Sequence, residues 1–250
     1  CSFCQNYRIS QCFASDFKEF HQISSKASIA EALKTRNNTG IAYTYNEPFV
    51  FYEFMYDTAE LAHRKQLRNV VISNGYIHPE PLKKLLPFID AFNIDLKSFS
   101  NNFYKKHTKG QLKPVLQSLE IIAKSEAHLE ITNLIIPQLN DDPVEFRNMV
   151  KWIASNLNNK VPLHLSRYFP RHQMNIPQTP VKTLELMYDI AREYLHHVYI
   201  GNVSDNKRSS TYCKKCGQLL IQRNSYKTQV VGIDKDGNCS NCSEKTDILM

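Results

Sequence analysis

Six of the seven cysteines fall in Cys-x-x-Cys pairs: Cys1 with Cys4, Cys213 with Cys216, and Cys239 with Cys242. Two residues between two sulfurs let one tight turn present both thiolates to the same ion. The last two pairs, Cys213-Lys-Lys-Cys216 and Cys239-Ser-Asn-Cys242, can together close a tetrahedral S4 site. Zinc is the default occupant and a single iron the alternative, because four thiolates suit both. Gly217 after the first pair and Gly237 before the second favour knuckle turns. A redox dithiol is the competing reading. Cys1-Ser-Phe-Cys4 alone is less specific, since a redox pair and half of a zinc site share that spacing. Cys12 matches neither pattern and reads as a semi-buried thiol.

Other candidates stand where strand-like runs end. Glu47 follows Tyr45-Asn46 and precedes Pro48; Ser73 and Asn74 precede Gly75; Asp95 and Lys97 close an apolar run. Strand alternation puts Asp95 and Lys97 on one face. His164 and Arg167 lie on a run that meets Pro170. Each has a plainer reading: Glu47 as a helix-start carboxylate, Asp95 and Lys97 as a surface pair, His164 as a half-buried core histidine.

These residues need a scaffold, and the periodicity supplies one. Strands are expected at Ile41–Thr44, Asn69–Ser73, Ala91–Leu96, His128–Ile136, Val161–Tyr168 and Val198–Ile200. Helices are expected between them, over Phe49–His63, Pro79–Leu86, a stripe from Val115 to Ala123, Val144–Ala154 and Thr183–Leu195. The aromatics from Phe49 to Tyr56 read as core packing. Six strand–helix repeats predict an α/β fold, a partial (β/α)6 TIM-like barrel with working residues at the C-terminal strand ends. The texture changes near Gly201–Ser210, which reads as a linker. The expected division is a core domain over 1–203 and a small Cys4 module over 211–250, of zinc-ribbon or rubredoxin-like character. A module that small needs a metal to hold it.

The composition is that of a folded globular protein of 250 residues, 42% hydrophobic and 22% charged. The net charge of +7 comes without a dense Lys/Arg block, so it reads as a solvated surface and nucleic acid is disfavoured as a partner. No apolar run is long enough to span a membrane. The sequence opens on Cys1 without a leader and reads as a fragment of a cytoplasmic protein.

Taken in order, the motifs carry a family resemblance. Cys1-Ser-Phe-Cys4-Gln-Asn, Tyr43-Thr-Tyr-Asn-Glu-Pro48, Val71-Ile-Ser-Asn-Gly75, Asn93-Ile-Asp-Leu-Lys97 and the cysteine-rich tail with Ile221-Gln-Arg-Asn-Ser-Tyr226 resemble the radical S-adenosylmethionine (SAM) protein of the AmmeMemoRadiSam group. That group is related to pyruvate formate-lyase activating enzyme. The resemblance implies a [4Fe–4S] cluster held by three thiolates. Cys1 and Cys4 would be the second and third, and the first would lie upstream. It implies SAM chelated to the open iron, and a 5′-deoxyadenosyl radical that abstracts hydrogen from an unidentified substrate. Glu47 would meet the SAM amino group where relatives have Gly-Gly-Glu. Asn46, Ser73, Asn74, Asp95, Lys97, His164 and Arg167 would line the rest of the SAM site. The implied partners are a small-molecule or protein substrate and a reductant such as flavodoxin or ferredoxin. Two other readings compete with this one: a zinc-ribbon module that binds nucleic acid or protein without catalysis, and a thioredoxin-like enzyme built on Cys1 and Cys4.

Overall fold

A computed structural model describes residues 1–13, 23–225 and 227–248. The chain forms two compact units, Cys1–Thr132 with Pro170–Ile176, and Asn133–Phe169 with Pro177–Met250. Its architecture is α/β, with six strands in the order β1-β2-β3-β4-β5-β6.

The first unit begins with α1 (Tyr7–Ser10) and α2 (Ser25–Lys34), followed by β1 (Gly40–Tyr43), α3 (Tyr52–Arg64) and β2 (Arg68–Ser73). Next come α4 (Pro79–Leu85), β3 (Ala91–Asp95), α5 (Asn101–Phe103), α6 (Leu112–Ala123) and the start of β4 (His128–Ile135). β1 to β4 pair in parallel, with Ile41 opposite Asn69, Val71 opposite Phe92, and Asn93 opposite Glu130. β1 lies so close to β2 that a Cβ on Gly40 would sit 2.0 Å from the Arg68 carbonyl oxygen. Burial alternates along β3 and β4: Phe92, Ile94, Leu129 and Ile131 are buried, while Asn93, Asp95, Glu130 and Thr132 are half-exposed. One sheet face is therefore core and the other polar.

Asn69 fastens three elements of this unit. Its Nδ2 donates to the Ala59 and Phe88 carbonyls, and its Oδ1 accepts from the Tyr43 hydroxyl. A buried amide is tolerated because these bonds replace water. The expected helix from Phe49 starts instead as a 3₁₀ turn, Pro48–Phe51, and becomes α-helical at Tyr52. The difference follows from Glu47, whose side chain caps the tighter turn. α2 was not apparent from the pattern, since it buries only Ile29 and starts on a Ser24 cap.

The second unit holds the end of β4, α7 (Pro143–Asn156), β5 (Leu163–Arg167), α8 (Val181–Arg192), β6 (Val198–Gly201) and α9 (Asn206–Ser209). β5 and β6 are parallel, with His164 opposite Tyr199. β7 (Thr211–Tyr212), β8 (Leu219–Asn224) and β9 (Lys227–Val230) form an antiparallel sheet. Thr179 is fully buried; its hydroxyl donates to the Ile135 carbonyl and accepts from the Tyr168 N–H. The segment expected to be a linker carries α9, capped by Asp205, and Arg208 pairs with both Glu185 and Asp205. Its polarity reflects capping and ion pairing, which composition cannot distinguish from a solvated tether. No helix among the described residues is long and apolar enough to cross a membrane.

Candidate functional site

Glu47 is where the strand ends of the first unit converge. Its Oε1 accepts from the Phe49 N–H at 3.3 Å and from the Ser73 hydroxyl at 2.6 Å, and its Oε2 accepts from the Asn74 N–H at 2.8 Å. Burial raises its pKa and Asp95 adds to the rise, while these three bonds oppose it. Among the described residues no cation pairs with it. The backbone just before it is left-handed at Tyr45, with φ +32°. A glycine would adopt that geometry without strain, whereas Tyr45 carries a Cβ there. Tyr45 and Asn46 are both exposed.

Ser73 ends β2 buried, and its Oγ also accepts from the Gly75 N–H. Asn74 is exposed, and its Oδ1 accepts from the Tyr76 N–H. Gly75 has φ +71°, and a Cβ there would lie 2.8 Å from Ile94. The side chains of Asp95 and Lys97 pair at 2.8 Å and are only 28% and 19% exposed, so this is not a surface pair. The Lys97 N–H donates to the Tyr104 hydroxyl, and burial pushes that phenol well above its ordinary pKa. The structure thus brings Glu47, Ser73 and Asn74 together, with Asp95 close enough to act on Glu47.

The Cys1–Cys4 loop is held from both sides. The Cys4 N–H donates to the Cys1 carbonyl, closing a turn with Cys1 exposed and Cys4 half-buried. Between them, the Ser2 N–H donates to the His107 carbonyl and the Ser2 carbonyl accepts from the Gln173 N–H, both at 3.0 Å. Phe3 is buried and its ring lies 6.0 Å from that of Phe103, while Tyr7 stacks on His172 at 4.8 Å. Two thiols on one anchored turn, one exposed and one half-buried, fit the donor chemistry of an iron–sulfur cluster. Cys12 is half-buried and donates to the Ile9 carbonyl of its own loop.

His164 and Arg167 belong to the second unit. The His164 ring stacks on Tyr199 with centroids 5.3 Å apart. Arg167 donates through Nε to the Thr179 carbonyl, and its guanidinium lies 5.2 Å from the Phe169 ring centroid.

The second unit also holds the four tail sulfurs. Cys213, Cys216, Cys239 and Cys242 place their sulfurs within 4.8 Å of one another. The Cys213–Cys242 and Cys216–Cys239 separations are both 3.7 Å. A metal–sulfur bond of about 2.3 Å gives a tetrahedron with edges of about 3.8 Å, so the set fits a zinc or single-iron centre. Gly217 and Gly237 are left-handed, and the Gly217 N–H donates back to the Cys213 carbonyl. Asn241 and the Gln218 N–H hold the Cys216 thiol down to about 6. Leu220 and Ile221 pack with Cys213 and Cys239, and Ile233 and Ile248 lie against them. Tyr226, the end of the tail motif, lies outside the described residues.

Several partners escaped the sequence reading. Asn93 accepts from the Thr132 hydroxyl at 2.8 Å, and His128 meets Glu130 at 3.1 Å, on the polar face that also carries Asp95. The alternation that selected Asp95 could have selected Asn93 two residues earlier. No local signal marks His107 or Gln173, because their bonds to the Ser2 backbone run through their own backbone atoms.

Comparison with known proteins gives the family. The chain is 40% identical over 253 residues to an uncharacterized protein of Methanocaldococcus jannaschii, which covers 100% of this chain and 74% of that protein. It is 22% identical over 126 residues to the (2S)-3-sulfopropanediol dehydratase activating enzyme of Klebsiella oxytoca, half of this chain and 40% of that enzyme. In fold it is similar to a domain of the pyruvate-formate lyase-activating enzyme from Bacteroides vulgatus, with a TM-score of 0.57 at 18% identity, covering 65% of this chain and 99% of that domain. The profile of the radical SAM superfamily matches residues 1–153, the stretch that carries Cys1, Cys4, Glu47, Ser73, Asn74, Asp95 and Lys97, and the chain belongs to that superfamily.

Proposed function

We propose that this chain cleaves SAM reductively and directs the resulting radical at a protein substrate, in the manner of a glycyl-radical activating enzyme. One observation carries the reading. Glu47 is a desolvated carboxylate in the loop after β1, held by the Ser73 hydroxyl and the Asn74 N–H and with no ion pair of its own among the described residues. A ligand ammonium would supply the missing positive charge.

Cys1 and Cys4 would hold a [4Fe–4S] cluster together with a third cysteine upstream. Such a cluster, if bound there, would supply the one electron needed to break a sulfonium C–S bond of SAM, giving methionine and a 5′-deoxyadenosyl radical able to take a hydrogen atom from the substrate. Glu47 orients the SAM amino group, and the Ser73 hydroxyl and Asn74 N–H keep its carboxylate aimed. Asn46 and the exposed Asn74 side chain face the ligand's polar groups. Lys97 neutralises Asp95, so the pair offers hydrogen bonds without adding net charge beside Glu47. The activating-enzyme relatives support a protein substrate, and the reading calls for a reductant, for which a flavodoxin or ferredoxin is the proposed class. We assign catalysis to residues 1–203 and metal binding to 211–250, and place the enzyme in the cytoplasm.

The test is anaerobic reconstitution with iron and sulfide of a chain that includes the upstream cysteine, followed by assay for 5′-deoxyadenosine under strong reductant. The expected result is product from the unmodified chain and none from Cys4→Ala. A protein that takes up zinc alone and leaves SAM intact would overturn the reading.

A further inference from the structure

The tail knuckle reaches beyond its own metal site. Cys213 and Cys216 bracket the turn joining β7 to β8, so closure of that knuckle sets the hairpin in which Thr211 pairs with Ile221. Two residues along β8, Arg223 turns back. Its NH1 group donates to the Thr211 hydroxyl at 2.7 Å and to the Ser209 carbonyl, and its backbone N–H donates to the Ser210 hydroxyl. The same guanidinium lies 5.1 Å from the ring centroid of Tyr199 on β6. The Tyr199 hydroxyl lies 2.9 Å from the Thr211 Oγ1. Tyr199 is also the residue on which His164 stacks, opposite it in the β5–β6 ladder.

We infer that the metal-closed C-terminal module positions His164, with Arg223 and Tyr199 as the positioning residues. The path is short: the metal closes the knuckle, the knuckle sets the hairpin, Arg223 and Thr211 hold the Tyr199 ring, and that ring holds the imidazole. A planar guanidinium suits the task because it can stack on a ring and donate hydrogen bonds at once, which a lysine ammonium cannot. The inference rests on the reading of the four cysteines as a metal site.

The experiment uses the full chain loaded with zinc alone and labelled at histidine, and follows the His164 ring signal by NMR, assigned by its loss in His164→Gln. Removing zinc with a chelator is expected to shift that signal by more than its linewidth. Zinc-loaded Arg223→Met is expected to shift it in the same direction while keeping its metal, and Arg223→Lys to leave it shifted. Tyr199→Phe, which removes only the hydroxyl, is expected to produce part of the shift. A His164 signal that ignores zinc removal, or that responds to zinc removal but not to Arg223→Met, overturns the inference. A chain whose tail takes up neither zinc nor iron overturns it through the metal reading, which the metal count identifies. Loss of 5′-deoxyadenosine in Cys4→Ala is scored separately, so failure of the radical SAM reading is distinguished from failure of this one.

Discussion

The two cysteine constellations share a motif and differ in how it is held. In the tail, four sulfurs converge at tetrahedral separations on left-handed knuckles, with Leu220 and Ile221 packed beneath. At Cys1 and Cys4 two thiols sit on a turn gripped through the Ser2 backbone and the Phe3 ring, and nothing in the loop closes the coordination. A closed thiolate shell suits a structural role, because it leaves no position for a substrate. An incomplete shell on an anchored loop suits chemistry at the metal, because a ligand must reach an iron. The spacing between cysteines does not separate these cases; the surroundings of each pair do.

The largest effect expected from this contrast is at the tail. Binding at a structural S4 site is worth on the order of 10 kcal/mol, so Cys239→Ser should lower zinc affinity by several orders of magnitude and loosen the tail. Competition with a chromophoric chelator and limited proteolysis measure both. Cys4→Ala should leave that zinc untouched and abolish iron uptake, and an exchange of these phenotypes would break the comparison.

Phe3→Ala sharpens the same contrast at the other site. Removing a buried phenyl ring costs about 3 kcal/mol, and here it frees the loop that carries both thiols. Urea denaturation should show the loss, and reconstituted protein should release iron faster while its tail zinc stays.

Glu47→Gln tests the proposed SAM contact. Removing a charge-assisted bond of about 2 kcal/mol should weaken SAM binding at least tenfold by titration calorimetry. The raised pKa of Glu47 fixes a sign without ligand. Its folded form holds a proton more tightly than the unfolded chain, so its contribution to stability is full at pH below about 4 and declines as pH rises through the raised value. The stability difference between the Gln variant and the unmodified protein should therefore move in the variant's favour as pH rises from 4 to 7.

The smallest effect is expected at Asp247, which ties the tail to Lys160 at 2.8 Å and lies within 4 Å of His196, His197 and Lys214. Burial would raise its pKa, but the Lys160 hydrogen bond and charge outweigh that and hold it low. Asp247→Asn should cost about 1 kcal/mol near neutral pH. The loss should fade as pH falls through the depressed value, because protonation of Asp247 removes the same pairs. Thermal melts at several pH values measure it.

Much of this was legible in the chain itself. Period-two and helical patterns marked the six strands of the parallel sheet and the longer helices between them, with ends displaced by up to three residues. Alternation placed Asp95 and Lys97 on one face, and cysteine spacing marked both constellations. The helix at Ser25–Lys34 escaped because it buries a single side chain, and the Gly201–Ser210 segment misled because capping residues and tether residues share a composition.

By itself the sequence determined what short-range physics encodes: the α/β alternation, the strand-end positions of Glu47, Ser73, Asn74, Asp95 and Lys97, and the sulfurs able to share a metal. Only the tertiary structure decided which distant groups serve one another. Parallel pairing brings Ser73 to Glu47 across 26 residues, backbone atoms of His107 and Gln173 grip Ser2, and Arg223 meets the ring that carries His164. Those pairings depend on strand register and on hydrogen bonds from the backbone, which every residue but proline can donate, so no side-chain pattern announces them.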